Sequence, residues 1–215
     1  MVPGDVGLCS LVAWCAGRLA DEGPAGGLWQ ASRTAASAPP RWTQDMQIPT
    51  LHTDRLALVP PGRHCEDLYE AFYTDAEASA HYGGPLTPGA AWIRLSADLG
   101  TWYLRGFGVW AVQRREPQDL VGVCGFWQGK GWPRELTWWL LPRARGCGIA
   151  HEASRAAIGH AHRVFGWPVV ETYMKDDNAP ARALVLRLGG VKARRQLFPD
   201  GLERDVFQLP PAAET

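Results

Sequence analysis

The run Arg145-Gly146-Cys147-Gly148-Ile149-Ala150 is the part of this chain whose residue types and spacing could do chemistry. Ahead of it lies the apolar stretch Glu135-Leu136-Thr137-Trp138-Trp139-Leu140-Leu141, closed by Pro142, which predicts a strand. Behind it Ile149, Ala153, Ala157, Ala161 and Val164 recur at helical spacing. Strand, glycine turn and helix in that order expose unpaired backbone N–H groups at the positive end of a helix dipole. A phosphate is the natural occupant of such a place, and glycines let the backbone approach it with no Cβ in the way. A site for a phosphorylated small molecule is therefore expected near residue 146, the alternative being a turn that only packs a helix closely on a strand. No Lys-Ser or Lys-Thr follows the glycines, so this is not a P-loop. The full G-x-G-x-x-G spacing is missing, as is the acidic residue about 20 positions on that would hold a ribose.

The elements that must position this loop are readable on both sides. Leu56 to Val59 predicts a short strand, and His64 to Tyr73 a helix with Cys65, Leu68, Tyr69 and Phe72 on one face. Thr87 offers an N-cap with Pro88 in the first helical position, opening a helix to about Leu104. Strands follow at Phe107 to Gln113, Leu120 to Phe126 and Glu135 to Leu141, the first two joined by the hairpin-length link Arg114 to Asp119. After the loop helix come a strand at Val169 to Met174, a helix opened by Asn178, and strands near Arg194–Leu197 and Asp205–Leu209 joined at Pro199-Asp200-Gly201.

Composition narrows the function classes. Lys plus Arg and Asp plus Glu number 22 each, so no basic field argues for nucleic acid or a membrane surface. Eleven Trp imply an aromatic core or a lined cleft. Cys9, Cys15, Cys65, Cys124 and Cys147 have no CxxC pairing and read as reduced thiols in a cytoplasmic protein, with no metal site. His151, His160 and His162 include no pair four apart. Residues 1–45 are rich in Ala, Gly, Pro, Arg and Ser, too poor in apolar area to offset an ordering cost of about 1–2 kcal/mol per residue. They are expected to be a disordered or dispensable extension, with Met46 a candidate start, residues 46–210 one domain and 211–215 a tail. The apolar stretch Leu8 to Ala16 has no preceding Lys or Arg and is too short to span a membrane.

Arg145, Gly148 and Ala150, directly after a strand ending in Pro, resemble the coenzyme A loop of the GNAT acetyltransferase superfamily, Q/R-x-x-G-x-G/A. Asp177-Asn178-Ala179-Pro180-Ala181, leading through Arg182-Ala183-Leu184-Val185-Leu186-Arg187 to Leu188-Gly189, resembles the family's Asn-capped helix ending in Leu-Gly-Phe. The element order matches too, so the resemblance spans about residues 50–209. The pattern is most similar to the branch resembling ribosomal-protein N-terminal acetyltransferases. It implies an α+β (mixed α/β) fold: a central, largely antiparallel mixed sheet of six to seven strands, splayed in the middle and flanked by four helices.

The resemblance also implies an acyltransferase using acetyl-coenzyme A, with no metal, and a small-molecule amine or a protein N-terminus as acceptor, in a monomer or homodimer. Trp139, Leu140 and Leu141 would meet the pantetheine amides, and the amides of Arg145, Gly146, Cys147, Gly148, Ile149 and Ala150 the diphosphate. Arg145 would either add charge there or stay solvated, Cys147 would be a spacer, and Asn178 would cap its helix, touch the coenzyme, or both. A backbone N–H near Leu140 or Leu141 is the candidate oxyanion donor. Glu135 is the candidate base, its alternative being a surface carboxylate paired with Arg134 or Arg143. The family's usual acid, a Tyr seven residues after the capping Asn, is replaced by Val185. The Ser three residues after it is replaced by Ala181, and the Phe after the helix-ending Gly by Gly190. Tyr173 is then the candidate acid, or else a core tyrosine. These departures keep open a coenzyme-binding module with lost catalysis. Tyr82, Trp92, Trp102, Trp127 and Trp132 are the aromatics available for an acceptor site, and His81-Tyr82-Gly83-Gly84-Pro85 is a loop that could touch substrate.

Overall fold

A computed structural model describes residues 47–211; the expected extension 1–45 lies outside the described residues, as does most of the expected tail. The chain begins with β1 (Leu51–His52) and β2 (Leu56–Val59), then α1 (Glu66–Tyr73) and α2 (Pro88–Arg105). Three strands follow, β3 (Val109–Arg114), β4 (Leu120–Trp127) and β5 (Glu135–Leu140), and then α3 (Ile149–Arg163). The last part is β6 (Val170–Tyr173), α4 (Ala179–Arg187), β7 (Val191–Leu197) and β8 (Glu203–Leu209). The α+β architecture with four helices agrees with the expectation. The expected splay in the middle is there too, and it is complete: the strands form two antiparallel ladders, β1-β2-β3-β4-β5 and β6-β8-β7. β6 pairs with β8 along one edge, from Val170 opposite Leu209 to Tyr173 opposite Val206, while its other edge lies beside β5 without a ladder.

Local chemistry explains the element ends. Thr87 accepts a hydrogen bond from the Ala90 amide at 3.3 Å, and Pro88 opens α2. The β3–β4 hairpin is closed by Arg114, whose guanidinium meets both oxygens of Asp119 at 2.7 Å. The turn before β8 is closed by the Gly201 amide on the Phe198 carbonyl at 2.9 Å. Val164, expected on the buried stripe of α3, lies past the helix end and is 65% exposed.

The first sheet buries both faces, as the period of two in β3 shows. Trp110 and Val112 pack with Ala153 and Ala157 of α3, whereas Val109 and Ala111 pack with Tyr69 and Phe72 of α1. Trp102 of α2 is core: its ring meets that of Trp110 edge-on at 4.8 Å, and its indole donates to the Val109 carbonyl at 2.8 Å. Trp92, by contrast, stands exposed on the outside of α2. Neither belongs to an acceptor site. Among the described residues no helix is long and apolar enough to cross a membrane.

Candidate active site

The glycine loop has the shape the sequence calls for. Gly146 and Gly148 sit at φ 77° and 78°, a left-handed conformation that other residues adopt at a cost. Gly148 is the N-cap of α3 and supplies no side-chain cap, and the first helical bond runs from the Glu152 amide to the Gly148 carbonyl. The backbone N–H groups from Gly146 to His151 thus have no partner among the described residues. The Arg145 amide does not join them, because a 3-10 turn at Pro142–Ala144 directs it to the Pro142 carbonyl at 3.1 Å. Behind the loop, Arg55 pairs with Glu152 at 2.6 Å and donates to the Cys147 carbonyl at 3.1 Å. Burial pushes the Glu152 carboxyl up, but hydrogen bonds from Thr53 and Arg55 outweigh it and hold the group below the usual range. Cys147 is exposed, its thiol against the Arg145 carbonyl at 3.5 Å, as suits a spacer.

Beside the loop, β5 presents an uncovered edge. Paired residues of an antiparallel strand alternate between facing the partner and facing away. The Leu141 amide donates to Val121 at 2.8 Å, and Trp139 stands opposite Val123, so both face β4. Leu141 therefore has no free amide, contrary to the expectation, and Trp139 contributes by its ring, stacked on Phe72 at 4.0 Å. Trp138 and Leu140 face outward. The Leu140 carbonyl accepts from Arg145 Nε at 3.0 Å, and that of Trp138 accepts from the Tyr82 hydroxyl. Their N–H groups meet no strand, because β6, although beside that edge, forms no ladder with it. The Arg145 side chain, exposed at the loop, is turned back on the protein: besides Leu140 it holds the Ala78 carbonyl at 3.0 Å.

Two cavities meet at this edge. One, about 470 Å³, is lined by Trp138, Leu140, Arg145, Gly146, Gly148 and Ala150, with Asn178 and Leu184 of α4 opposite. Asn178 also caps α4, accepting from the Ala181 amide at 3.2 Å, so one residue both caps its helix and lines the cavity. The other cavity, about 250 Å³, is lined by Glu135, Tyr173, Trp127, Trp132, Arg94 and Asp98, among others. His81, Tyr82, Trp138, Trp139, Asn178 and Ala181 line both.

The structure brings Glu135 and Tyr173 together across the gap between β5 and β6. Burial pushes the Glu135 carboxyl well above the usual carboxylate range, opposed by the Arg204 guanidinium and a hydrogen bond from Tyr173. Neither surface alternative for Glu135 holds. Arg134 lies over the Trp167 ring at 3.3 Å, and Arg143 reaches Asp119 at 3.6 Å. Burial, then the Glu135 charge, keeps the Tyr173 phenol protonated well above its ordinary range. Its hydroxyl also lies 3.3 Å from the Pro133 carbonyl, and its ring packs on Phe198 and Trp132. Tyr173 lines the second cavity and not the first.

Three charged residues of this cavity escape a reading of loop motifs: Arg94, Asp98 and Arg204. Asp98 accepts from the Tyr69 hydroxyl at 2.7 Å, and burial pushes its carboxyl up to about 6 against Tyr69 and Arg94. A signal for it exists, since Asp98 falls on the buried Ala91-Leu95-Trp102 stripe of α2, where a carboxylate is out of place. Arg204 is held by Asp200 at 2.5 and 2.8 Å and lies 5.5 Å from the Trp132 ring.

The family model for the acetyltransferase (GNAT) domain matches residues 55–191. No curated protein matches the chain in sequence. Among solved structures, an acetyltransferase from Agrobacterium tumefaciens is similar at 28% identity and TM-score 0.70, over 77% of this chain and 96% of that one. A protein assigned to the GnaT family of acetyltransferases from Bordetella pertussis is 27% identical, with TM-score 0.64 over 75% and 99%. The ribosomal-protein α-N-acetyltransferase RimL, in complex with coenzyme A, shares the fold at 11% identity and TM-score 0.61, over 77% and 100%. With its splayed strands, its glycine loop and a family match across most of its described residues, the chain belongs to the GNAT acetyltransferase family.

Proposed function

We propose that this protein transfers the acetyl group of acetyl-coenzyme A to a primary amine by direct attack of the amine on the thioester. One observation carries the reading: one continuous cavity is lined by Gly146, Gly148, Ile149, Ala150 and His151, whose amides are unpartnered among the described residues, and by Trp138 and Leu140, whose N–H groups face outward. That donor set fits a diphosphate followed by a chain of amides. The loop would receive the diphosphate at a helix start, and the β5 edge would receive the pantetheine amides much as a sheet edge receives a strand. RimL, whose structure holds coenzyme A, lends support at the level of the fold.

The neighbouring cavity is the proposed acceptor site, for a small-molecule amine or a protein N-terminal amine. An amine has to lose a proton to attack, with a pKa of about 8 for an α-amine and about 10.4 for a lysine. Glu135 is the proposed base, directly or through water. Its raised pKa makes it a better proton acceptor once ionised. The Leu140 N–H faces the cavity as the oxyanion donor; one such donor is worth about 10²–10³ in rate. The free thiols of Cys65, Cys124 and Cys147 accord with a reducing, cytoplasmic setting.

A second reading, a coenzyme-binding module with lost catalysis, draws on Val185. It is fully buried and packs against Gly190, where an added Cβ would come within 2.5 Å of it, so α4 supplies no hydroxyl there. A thiol-release assay across a panel of amines, run with wild type and Glu135→Gln, separates the two. Turnover lost in the variant supports the enzyme, and coenzyme binding with no turnover on any amine supports the module.

A further inference from the structure

We propose that Tyr82, on the loop between α1 and α2, is the group that protonates the departing thiolate, in place of the hydroxyl that α4 lacks. This rests on the acetyl-transfer reading above. The placement is geometric. The thioester has to lie where the coenzyme cavity opens into the acceptor cavity, and Tyr82 lines both. Its hydroxyl reaches the outward edge of β5 and donates to the Trp138 carbonyl, beside the free Trp138 and Leu140 amides. Its ring is fixed by an edge-on contact with Phe72 at 5.5 Å, itself stacked on Trp139. The alternatives are worse placed. Tyr173 lines only the acceptor cavity and faces Glu135 and Pro133, Val185 is fully buried, and Ala181 has nothing to donate.

The groups facing Tyr82 explain how a buried phenol would give up its proton at the right moment. Burial and the charge of Glu135 hold its pKa well above the ordinary value, Tyr73 and Cys124 add to this, and Arg145 opposes it. Once Glu135 has taken the amine's proton, its charge no longer opposes ionisation of the phenol. The C–N bond forms, the C–S bond breaks, and the electron pair departs on sulfur. Tyr82 turns its O–H from the Trp138 carbonyl to that sulfur and gives up its proton there, and Glu135 returns the amine's proton to the phenolate through water. Starting from the ammonium form, nitrogen gives up two protons: one leaves to bulk water before attack, and the other passes by way of Glu135 and Tyr82 to sulfur, with both residues restored.

Tyr82→Phe keeps the ring contact with Phe72 and removes only the hydroxyl. The expected result is a kcat about 10²-fold lower on an amine that the wild type acetylates, with coenzyme A affinity by calorimetry within about threefold. A second readout needs no turnover. Titration of the thiol of bound coenzyme A by its ultraviolet thiolate absorbance should give a pKa about one unit higher in Tyr82→Phe, because a donor to the thiolate is gone. Tyr173→Phe should leave that thiol pKa in place. An unchanged thiol pKa in Tyr82→Phe, with kcat within twofold of wild type, overturns the proposal. A wild type that binds coenzyme A without acetylating any amine overturns the acetyl-transfer reading, while the thiol titration still decides whether Tyr82 faces the sulfur.

Discussion

The Thr172 hydroxyl donates to the Leu136 carbonyl at 2.8 Å, tying β6 to the outward edge of β5 two residues before Trp138. Thr172 is 1% exposed and Leu136 fully buried, so the bond closes the base of the gap between the two sheets in the absence of water. Thr172→Val keeps the shape and removes the donor, leaving a buried carbonyl unpaired. The expected loss is about 1–3 kcal/mol of unfolding free energy by urea titration. Unchanged stability would mean that the bond does not hold the two sheets together.

Glu135 sets the acid side of the activity profile. Its folded pKa is raised, so the ionised base is lost as pH falls through a point above the ordinary carboxylate range. The rate, kcat/KM, should therefore rise with pH through that point and level off. Glu135→Gln should lower kcat/KM by about 10²–10⁴ and abolish the rise. A wild-type limb at the ordinary carboxylate pKa, or one that survives in the variant, would remove Glu135 from the role.

Asp98 contributes to stability in the opposite sense from a salt-bridged carboxylate. Its folded pKa of about 6 lies above the unfolded value near 3.8, so between these the folded state binds the proton more tightly. Its contribution is therefore most favourable below about pH 4 and is lost as pH rises through about 6, by at most about 3 kcal/mol. Asp98→Asn keeps an acceptor for Tyr69 without the charge. Unfolding free energies measured from pH 4 to 8 should show the wild type falling relative to the variant across this window. Parallel curves would place Asp98 in contact with water.

Gly146 and Gly148 separate backbone strain from ligand approach. Both have a φ that disfavours a Cβ by about 1–2 kcal/mol. At Gly148 the added Cβ would also meet Arg55 Nη2 at 3.3 Å, while at Gly146 it would meet nothing within 4 Å. Gly148→Ala should lower the Tm more than Gly146→Ala. Gly146→Ala should weaken coenzyme A binding by more than its Tm loss accounts for, because its Cβ points into the space an anion would fill. Equal affinities for wild type and Gly146→Ala in calorimetry would put the diphosphate elsewhere.

Much of this was legible in the sequence where the signal is local. Thr87-Pro88 marked the start of α2, and the glycines of the loop marked a turn with open amides ahead of a helix. Asn178 marked the cap of α4, because a cap is written in one or two residues. What was not legible depends on register and on distant partners. That Trp138 and Leu140 face outward while Leu141 faces Val121 follows from the pairing of β5 with β4, which a continuous apolar run does not reveal. That Arg145 braces Leu140 and Ala78 needs contacts across 67 positions of chain. The division into two sheets depends on β5 and β6 lying side by side without a ladder, a relation between two distant strands that neither one encodes. Asp98 was the missed opportunity, a carboxylate in a buried helical stripe.

Amide hydrogen exchange with and without coenzyme A reads the loop and the β5 edge together. Exchange should slow at Gly146 to His151 and at Trp138 and Leu140, with Leu141, already bonded to Val121, unaffected. Binding of the coenzyme with no protection at those amides would contradict the proposed placement.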